Sequence, residues 1–176
     1  MNVSRAGPLF VTMVCIAAVV LVSAVNAQVP KTEPLFRIER SKNANVVQYD
    51  AVLQPDGSLV RDNPVDAYWL RLAKDGSRKE LNLLQRTLAY GFSTRWIDDG
   101  ETLELDMVAA IDRPIAVVRL DSGWRARCRI DGRPAWVRRI FVQSEKGFVG
   151  RRIVHLDITG VDVDTGERRT ERLMAK

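Results

Sequence analysis

Trp124-Arg125-Ala126-Arg127-Cys128-Arg129-Ile130 alternates apolar and basic side chains without a break. Successive side chains of a strand point to opposite faces, so Trp124, Ala126, Cys128 and Ile130 share one face and Arg125, Arg127 and Arg129 the other. Asp121-Ser122-Gly123 precedes this strand and Asp131-Gly132-Arg133-Pro134 follows it. Asp-Gly pairs tolerate positive φ and favour tight turns, so the segment reads as one member of a run of antiparallel hairpins.

The same grammar extends in both directions. Toward the C-terminus, Ala135–Gln143 and Arg151–Val163 read as strands, and Asp164-Thr165-Gly166 turns the chain into Glu167–Leu173. Toward the N-terminus lie Pro114–Leu120, Glu101–Ala110 with Leu103, Leu105 and Met107 on one face, and Phe92–Ile97 ahead of the Asp98-Asp99-Gly100 turn. Val65–Leu72 ends at Lys74-Asp75-Gly76-Ser77, Asn45–Leu53 ends at Pro55-Asp56-Gly57-Ser58, and Phe36–Arg40 opens the series. One segment departs from this pattern. Ser77 and Glu80 have capping-box spacing, Leu81, Leu84 and Leu88 recur at helical intervals, and Gly91 offers a left-handed stop, which predicts a helix over Arg78–Tyr90. The expected fold is mainly β, an antiparallel sandwich or barrel of about 8–9 strands with one helix, its short turns favouring a meander of consecutive strands.

The first 27 residues belong to a different class. Arg5 is the only charged residue before Lys31, and an apolar run from Leu9 to Val22 ends at Ser23-Ala24-Val25-Asn26-Ala27. This is the pattern of a signal-peptide helix cleaved after Ala27, and it predicts an exported chain, periplasmic or extracellular. An uncleaved membrane anchor is the competing reading of the same stretch. The resulting division is a signal peptide over 1–27, a linker over 28–34 containing Pro30 and Pro34, and a single β-rich domain over 35–176.

Processing would leave 149 residues with 26 basic and 22 acidic side chains, and Cys128 as the only thiol. One cysteine makes no internal disulfide, so the fold rests on packing and Cys128 is expected to be buried. Between Ser122 and His155 nine basic residues face two acidic ones, a segment charge of +7. Such a stretch suits phosphate or carboxylate groups of lipids or polymers, and export argues against nucleic acid as a partner.

Ile38-Glu39-Arg40-Ser41-Lys42-Asn43-Ala44-Asn45-Val46-Val47-Gln48-Tyr49-Asp50, Pro64–Trp69 and Leu88–Phe92 together resemble a family of bacterial exported proteins known as domain of unknown function four-eight-three-three. The resemblance covers roughly Leu35 to the C-terminus and implies no activity, cofactor or catalytic residue.

Catalytic chemistry finds little support in the residues. His155 is the only imidazole and shares a strand face with Asp157, while Cys128 is in phase with Trp124 and Ile130. One His and one Cys do not make a zinc site, and Asp98-Asp99-Gly100-Glu101 lacks calcium-loop spacing. No metal, no cofactor and no catalytic residue is assigned, and no spacing selects a carboxylate pair for hydrolysis. Binding is the better-supported class. The polar run Arg40, Lys42, Asn43 and Asn45, with Tyr49, Trp69, Arg71 and Tyr90, forms a candidate site for a lipid-like or anionic ligand. Arg125, Arg127 and Arg129 form a candidate patch for an anionic surface. The expected function is a non-enzymatic envelope binding domain, with a protein-interaction or structural module of the envelope as the alternative and a carboxylate-dependent hydrolase behind both. Membrane attachment through the N-terminus applies only if that segment is retained.

Overall fold

A computed structural model describes residues 30–41, 43–97, 100–108, 113–146 and 151–174. The signal-peptide and cleavage assignments over 1–27 lie outside the described residues, as do Lys42, Asp98 and Asp99. Among the described residues, eleven strands form one branched sheet: β1 (Lys31–Arg40), β2 (Asn43–Leu53), β3 (Val65–Leu70), β4 (Arg78–Glu80), β5 (Phe92–Ile97), β6 (Thr102–Met107), β7 (Ile115–Leu120), β8 (Gly123–Ile130), β9 (Arg133–Lys146), β10 (Arg151–Asp162) and β11 (Arg168–Met174). A short helix, α1 (Leu83–Gln85), runs on as a π-helical stretch (Arg86–Tyr90).

The spatial order is β4-β3-β2-β1-β9-β8-β7-β6-β5, with β10 and β11 branching from β9. Consecutive strands pair antiparallel throughout both runs, as short turns favour. The join is different. Arg37–Arg40 of β1 pair in parallel with Arg139–Val142 of β9. The 14-residue β9 gives Arg133–Trp136 to β8, and its 135–146 stretch pairs with β10. Two meanders thus leave β9 side by side as wings, and the sheet curls into a half-barrel.

The inner faces of the wings meet in a filled core. Phe36, Ile38, Val47, Tyr49 and Ala67 from one wing and Leu103, Leu105, Val117, Ala126 and Ile130 from the other are all nearly inaccessible. The Phe36 ring stacks on Tyr49 at 4.6 Å, and Tyr49 meets Phe92 of β5 edge-on at 5.9 Å. Trp124 donates its indole N–H to the Gly57 carbonyl at 3.0 Å, and Glu33 accepts from the Trp124 amide at 3.0 Å. The alternation over Trp124–Ile130 is realised in β8, with Trp124, Ala126, Cys128 and Ile130 buried and Arg125, Arg127 and Arg129 outside.

The helix is shorter than the leucine spacing predicts. Arg78–Glu80 joins the sheet as an edge strand against β3, and helical backbone begins at Leu83. The capping box is Asn82 with Gln85: the Gln85 amide donates to the Asn82 side chain, and the Gln85 side chain accepts from the Asn82 amide. Pairing with β3 satisfies the backbone of 78–80 better than an isolated helical turn would. Gly91 is extended, with φ −71°, and not left-handed. Its glycine is needed for space, since a Cβ there would sit 1.9 Å from the Arg86 carbonyl oxygen.

The β10–β11 hairpin turns on Asp162, whose carboxylate accepts from the amides of Asp164 and Thr165 and pairs with Arg169 and Arg133. The backbone donor at Thr165 and the Arg169 guanidinium hold this carboxyl far below the usual range. Its stabilising effect is therefore complete above about pH 4, the ordinary carboxylate pKa, and declines as pH falls below that value. Asp162→Asn is expected to flatten the acid limb of a Tm-versus-pH curve, and an unchanged acid limb would show that Asp162 carries none of it. Gly160 lies where the β9–β10 register shifts, and a Cβ would come within 2.4 Å of the Trp136 carbonyl oxygen. Gly160→Ala is expected to cost about 1–3 kcal/mol in chemical denaturation.

Candidate functional site

The predicted ligand residues converge on one end of the half-barrel, beneath the 83–90 helix, where they act as a clamp. Tyr49 is fully buried and donates its hydroxyl to the Tyr90 carbonyl at 2.7 Å. Arg40 donates to the Tyr90 hydroxyl at 2.9 Å and lies 5.9 Å from that ring. Trp69 meets Tyr90 edge-on at 5.2 Å and donates its indole N–H to Gln85 at 3.1 Å. Burial pushes the Tyr49 phenol strongly up, so it remains a neutral donor. Arg40, Tyr49, Trp69 and Tyr90 thus satisfy one another and the helix.

The remaining predicted residues do local work. Asn43 accepts from the Asn45 amide at 3.0 Å, and Asn45 accepts from the Ala73 amide at 3.1 Å. These are the backbone-satisfying bonds that Asn favours in turns. Arg71 donates twice to the Ser77 hydroxyl and lies 3.7 Å from Asp75, within the β3–β4 turn. Ser41 extends the parallel ladder, donating its amide to Val142 at 3.1 Å and exchanging bonds with Ser144.

An outer-face network fixes β4. Tyr68 donates to Asp50 at 2.7 Å, Gln48 donates to the same carboxylate at 2.9 Å, and Arg78 stacks over Tyr68 at 4.0 Å while pairing with Asp66 and Glu80. Burial and the Asp50 hydrogen bond raise the Tyr68 phenol to about 12.

The helix held by this clamp turns its apolar side chains outward. Leu81 and Tyr90 are buried at its two ends, whereas Leu83, Leu84 and Leu88 are 81%, 67% and 68% exposed. Leu84 and Leu88 therefore do not join Leu81 on a core-facing stripe. Leu81 lies ahead of the helical backbone, which begins at Leu83, so it shares no helical stripe with Leu84 and Leu88; the 86–90 stretch is π-helical, a feature that recurs at functional sites. Leu72 is also half exposed. Residues 71–90 carry five cations and two anions. Lys74 and Lys79 are exposed with no ion pair among the described residues.

A second concavity, which the sequence patterns do not reveal, opens at the opposite end. A cleft of about 860 Å³ lies between the β2–β3 loop, the β5–β6 turn and the β7–β8 hairpin. Arg61, Trp96, Arg119, Glu101 and Asp121 are among its lining residues. Arg61, Glu101 and Asp121 sit in loops and Trp96 and Arg119 near strand ends, so only their convergence marks them.

Thiol chemistry has no support here. Burial pushes the Cys128 thiol up to about 11, which leaves no thiolate at neutral pH. His155 lies 3.7 Å from Asp157, on the shared face that alternation predicts, and Asp157 is itself held by Arg172 in a two-pronged pair. Among the described residues no group of three or more His, Cys, Asp or Glu side chains is placed to hold a metal ion.

Tyr49→Phe removes the donor to the Tyr90 carbonyl and leaves a buried acceptor unpaired. It is expected to lower stability by about 1–3 kcal/mol and to raise amide exchange across 83–91 more than in β8. Uniform exchange in both regions would refute the clamp.

No curated protein and no solved structure matches the chain. The family model described as Domain of unknown function (DUF4833) matches residues 36–172, covering most of the chain and all but the outermost ends of the sheet. This chain belongs to the DUF4833 family.

Proposed function

We propose that this chain is an exported, non-enzymatic envelope protein that docks on an anionic lipid surface through its 83–90 helix. The observation that carries the reading is the rigidly clamped helix presenting Leu83, Leu84 and Leu88 to solvent. Apolar side chains held out of an available core mark a contact surface. Each leucine removed from water contributes roughly 1.5 kcal/mol or more, and each lysine or arginine near an anionic headgroup layer about 1 kcal/mol. Lys74 and Lys79 stand beside the leucines in sequence, and their long stems suit burial in an interface with the ammonium kept wet. Export rests on the charge-poor apolar segment ahead of residue 28.

The shape of this end favours a soft apolar phase over a protein groove. The leucines crown a short helix, and the neighbouring edge strand β4 reads Arg78-Lys79-Glu80, all exposed. A charged three-residue edge resists strand addition by a partner.

The test is co-sedimentation of the mature chain with phosphatidylcholine vesicles containing about one third phosphatidylglycerol, beside phosphatidylcholine alone. Binding is expected only to the anionic vesicles and is expected to weaken with salt. Leu83→Gln with Leu84→Gln is expected to reduce it by at least about tenfold, with Tm unchanged because both residues are exposed. Failure to bind anionic vesicles, or binding indifferent to the two substitutions, would overturn the proposal.

One observation favours the alternative of an acidic protein or polymer partner. Arg125 and Arg127 stand on the outer face of β8 with no carboxylate partner among the described residues. Charge reversal at Arg125, Arg127 and Arg129 is expected to abolish salt-sensitive capture of such a partner. Capture that survives it removes this face from the account.

A further inference from the structure

We infer that the cleft at the end remote from the helix is a binding site for an acidic sugar, a polyhydroxylated ring bearing a carboxylate or a phosphate. The inference is independent of the lipid-docking reading, because the helix and the cleft share no residue and β5, leading from one to the other, sets them roughly 15–20 Å apart.

The argument begins with two arginines. The Arg61 guanidinium stacks over the Trp96 ring at 4.5 Å. Its other support is Gly100, at φ +93°, where a Cβ would come within 2.5 Å of the guanidinium nitrogens. A glycine with positive φ is what allows the backbone to approach so closely. Arg61 is thereby fixed in orientation while it has no carboxylate partner among the described residues. Arg119 projects beside Gly57, whose Cβ would lie 3.5 Å from a terminal nitrogen, and it also has no ion pair among the described residues. It contributes only weakly to holding the Asp56 carboxyl down, behind the hydroxyl and amide of Ser58. A planar guanidinium held in place is the side chain best suited to a carboxylate or phosphate, because its parallel N–H groups match two oxygens at once.

The rest of the lining identifies what carries the anion. Glu101 and Asp121 are exposed acceptors for hydroxyl protons, and Gln54, which donates to the Leu59 carbonyl at 3.1 Å, keeps its own amide oxygen for a further donor. Acceptors and donors of both signs around one concavity suit a ring with many hydroxyls. They do not suit an acyl chain, and the apolar lining residues Leu59 and Trp124 are themselves packed into the core, at 2% and 6% exposure. With Trp96 covered by Arg61, Leu120 supplies exposed apolar lining for ring C–H groups. The cleft volume of about 860 Å³ is within the range of small-ligand sites and accepts more than one sugar unit.

The experiment is titration calorimetry of the mature chain with trigalacturonate, with neutral galactotriose and inorganic phosphate as separate arms. Trigalacturonate is expected to bind at least about tenfold more tightly than galactotriose, and inorganic phosphate more weakly than trigalacturonate. Arg119→Ala and Arg61→Lys are each expected to weaken trigalacturonate binding by about tenfold or more, the second because lysine keeps the charge and loses the fork. Arg168→Ala, exposed and outside the cleft, is expected to leave it unchanged. Both cleft arginines are exposed, so thermal melts should stay within a degree or two of the parent and confirm folded variants. No binding of trigalacturonate, equal binding of galactotriose, phosphate binding as tight as trigalacturonate, or binding untouched by both cleft substitutions would overturn the assignment.

Discussion

Every β-strand has two hydrogen-bonding edges, and β9 divides one of its own between two partners, β8 along its first residues and β1 farther on. Its second edge is taken up by β10 over almost its full length. Unpaired buried backbone groups are costly, so a strand paired on both edges over 14 residues is hard to shift in register. The two meanders are rooted in that strand. Because they leave the same edge one after the other, sheet twist brings their inner faces together, and the half-barrel and its core follow.

The two ends of the half-barrel are built by different means. At one end aromatic and polar side chains hold a helix: Tyr49, Tyr90, Trp69 and Arg40 form a mutually bonded cluster. What this investment secures is the position of side chains that contribute nothing to the core. At the other end Arg61 stacks on Trp96 and packs against Gly100, and its charge is left without a counter-ion among the described residues. Rigidity combined with unspent binding capacity is the signature of a contact surface, apolar at the helix and ionic at the cleft.

Elsewhere, cations are mostly neutralised in place. Arg113 pairs with Glu171, Arg172 with Asp157, Arg139 with Glu39, and Arg133 and Arg169 share Asp162. The +7 stretch between Ser122 and His155 is therefore less of a uniform field than its composition suggests. Arg127, Arg129, Arg138, Lys146 and Arg152 are the members of that stretch that face water without an ion pair among the described residues.

Strand alternation, turn residues and the leucine-bearing interruption were legible in the sequence, because period-two patterning and Asp-Gly turns are local physics. They determined the β class, the single helical interruption, the buried face of β8 and the burial of Cys128. Arg40, Tyr49, Trp69 and Tyr90 stood out in the sequence by residue type, and the fold brings them together beneath the helix. Tertiary structure alone decided the parallel join of β1 to β9, since that pairing links residues about a hundred positions apart and leaves no periodic trace. It decided that Arg78–Glu80 pair with β3 instead of starting a helix, because a sheet edge satisfies their backbone. It decided that Leu84 and Leu88 face outward, because Leu81 stays ahead of a helix that begins only at Leu83 and the buried Tyr90 fixes its far end. The cleft, too, is a product of the fold: its residues come from three connections and the strand ends beside them, which meet only where the sheet brings them together.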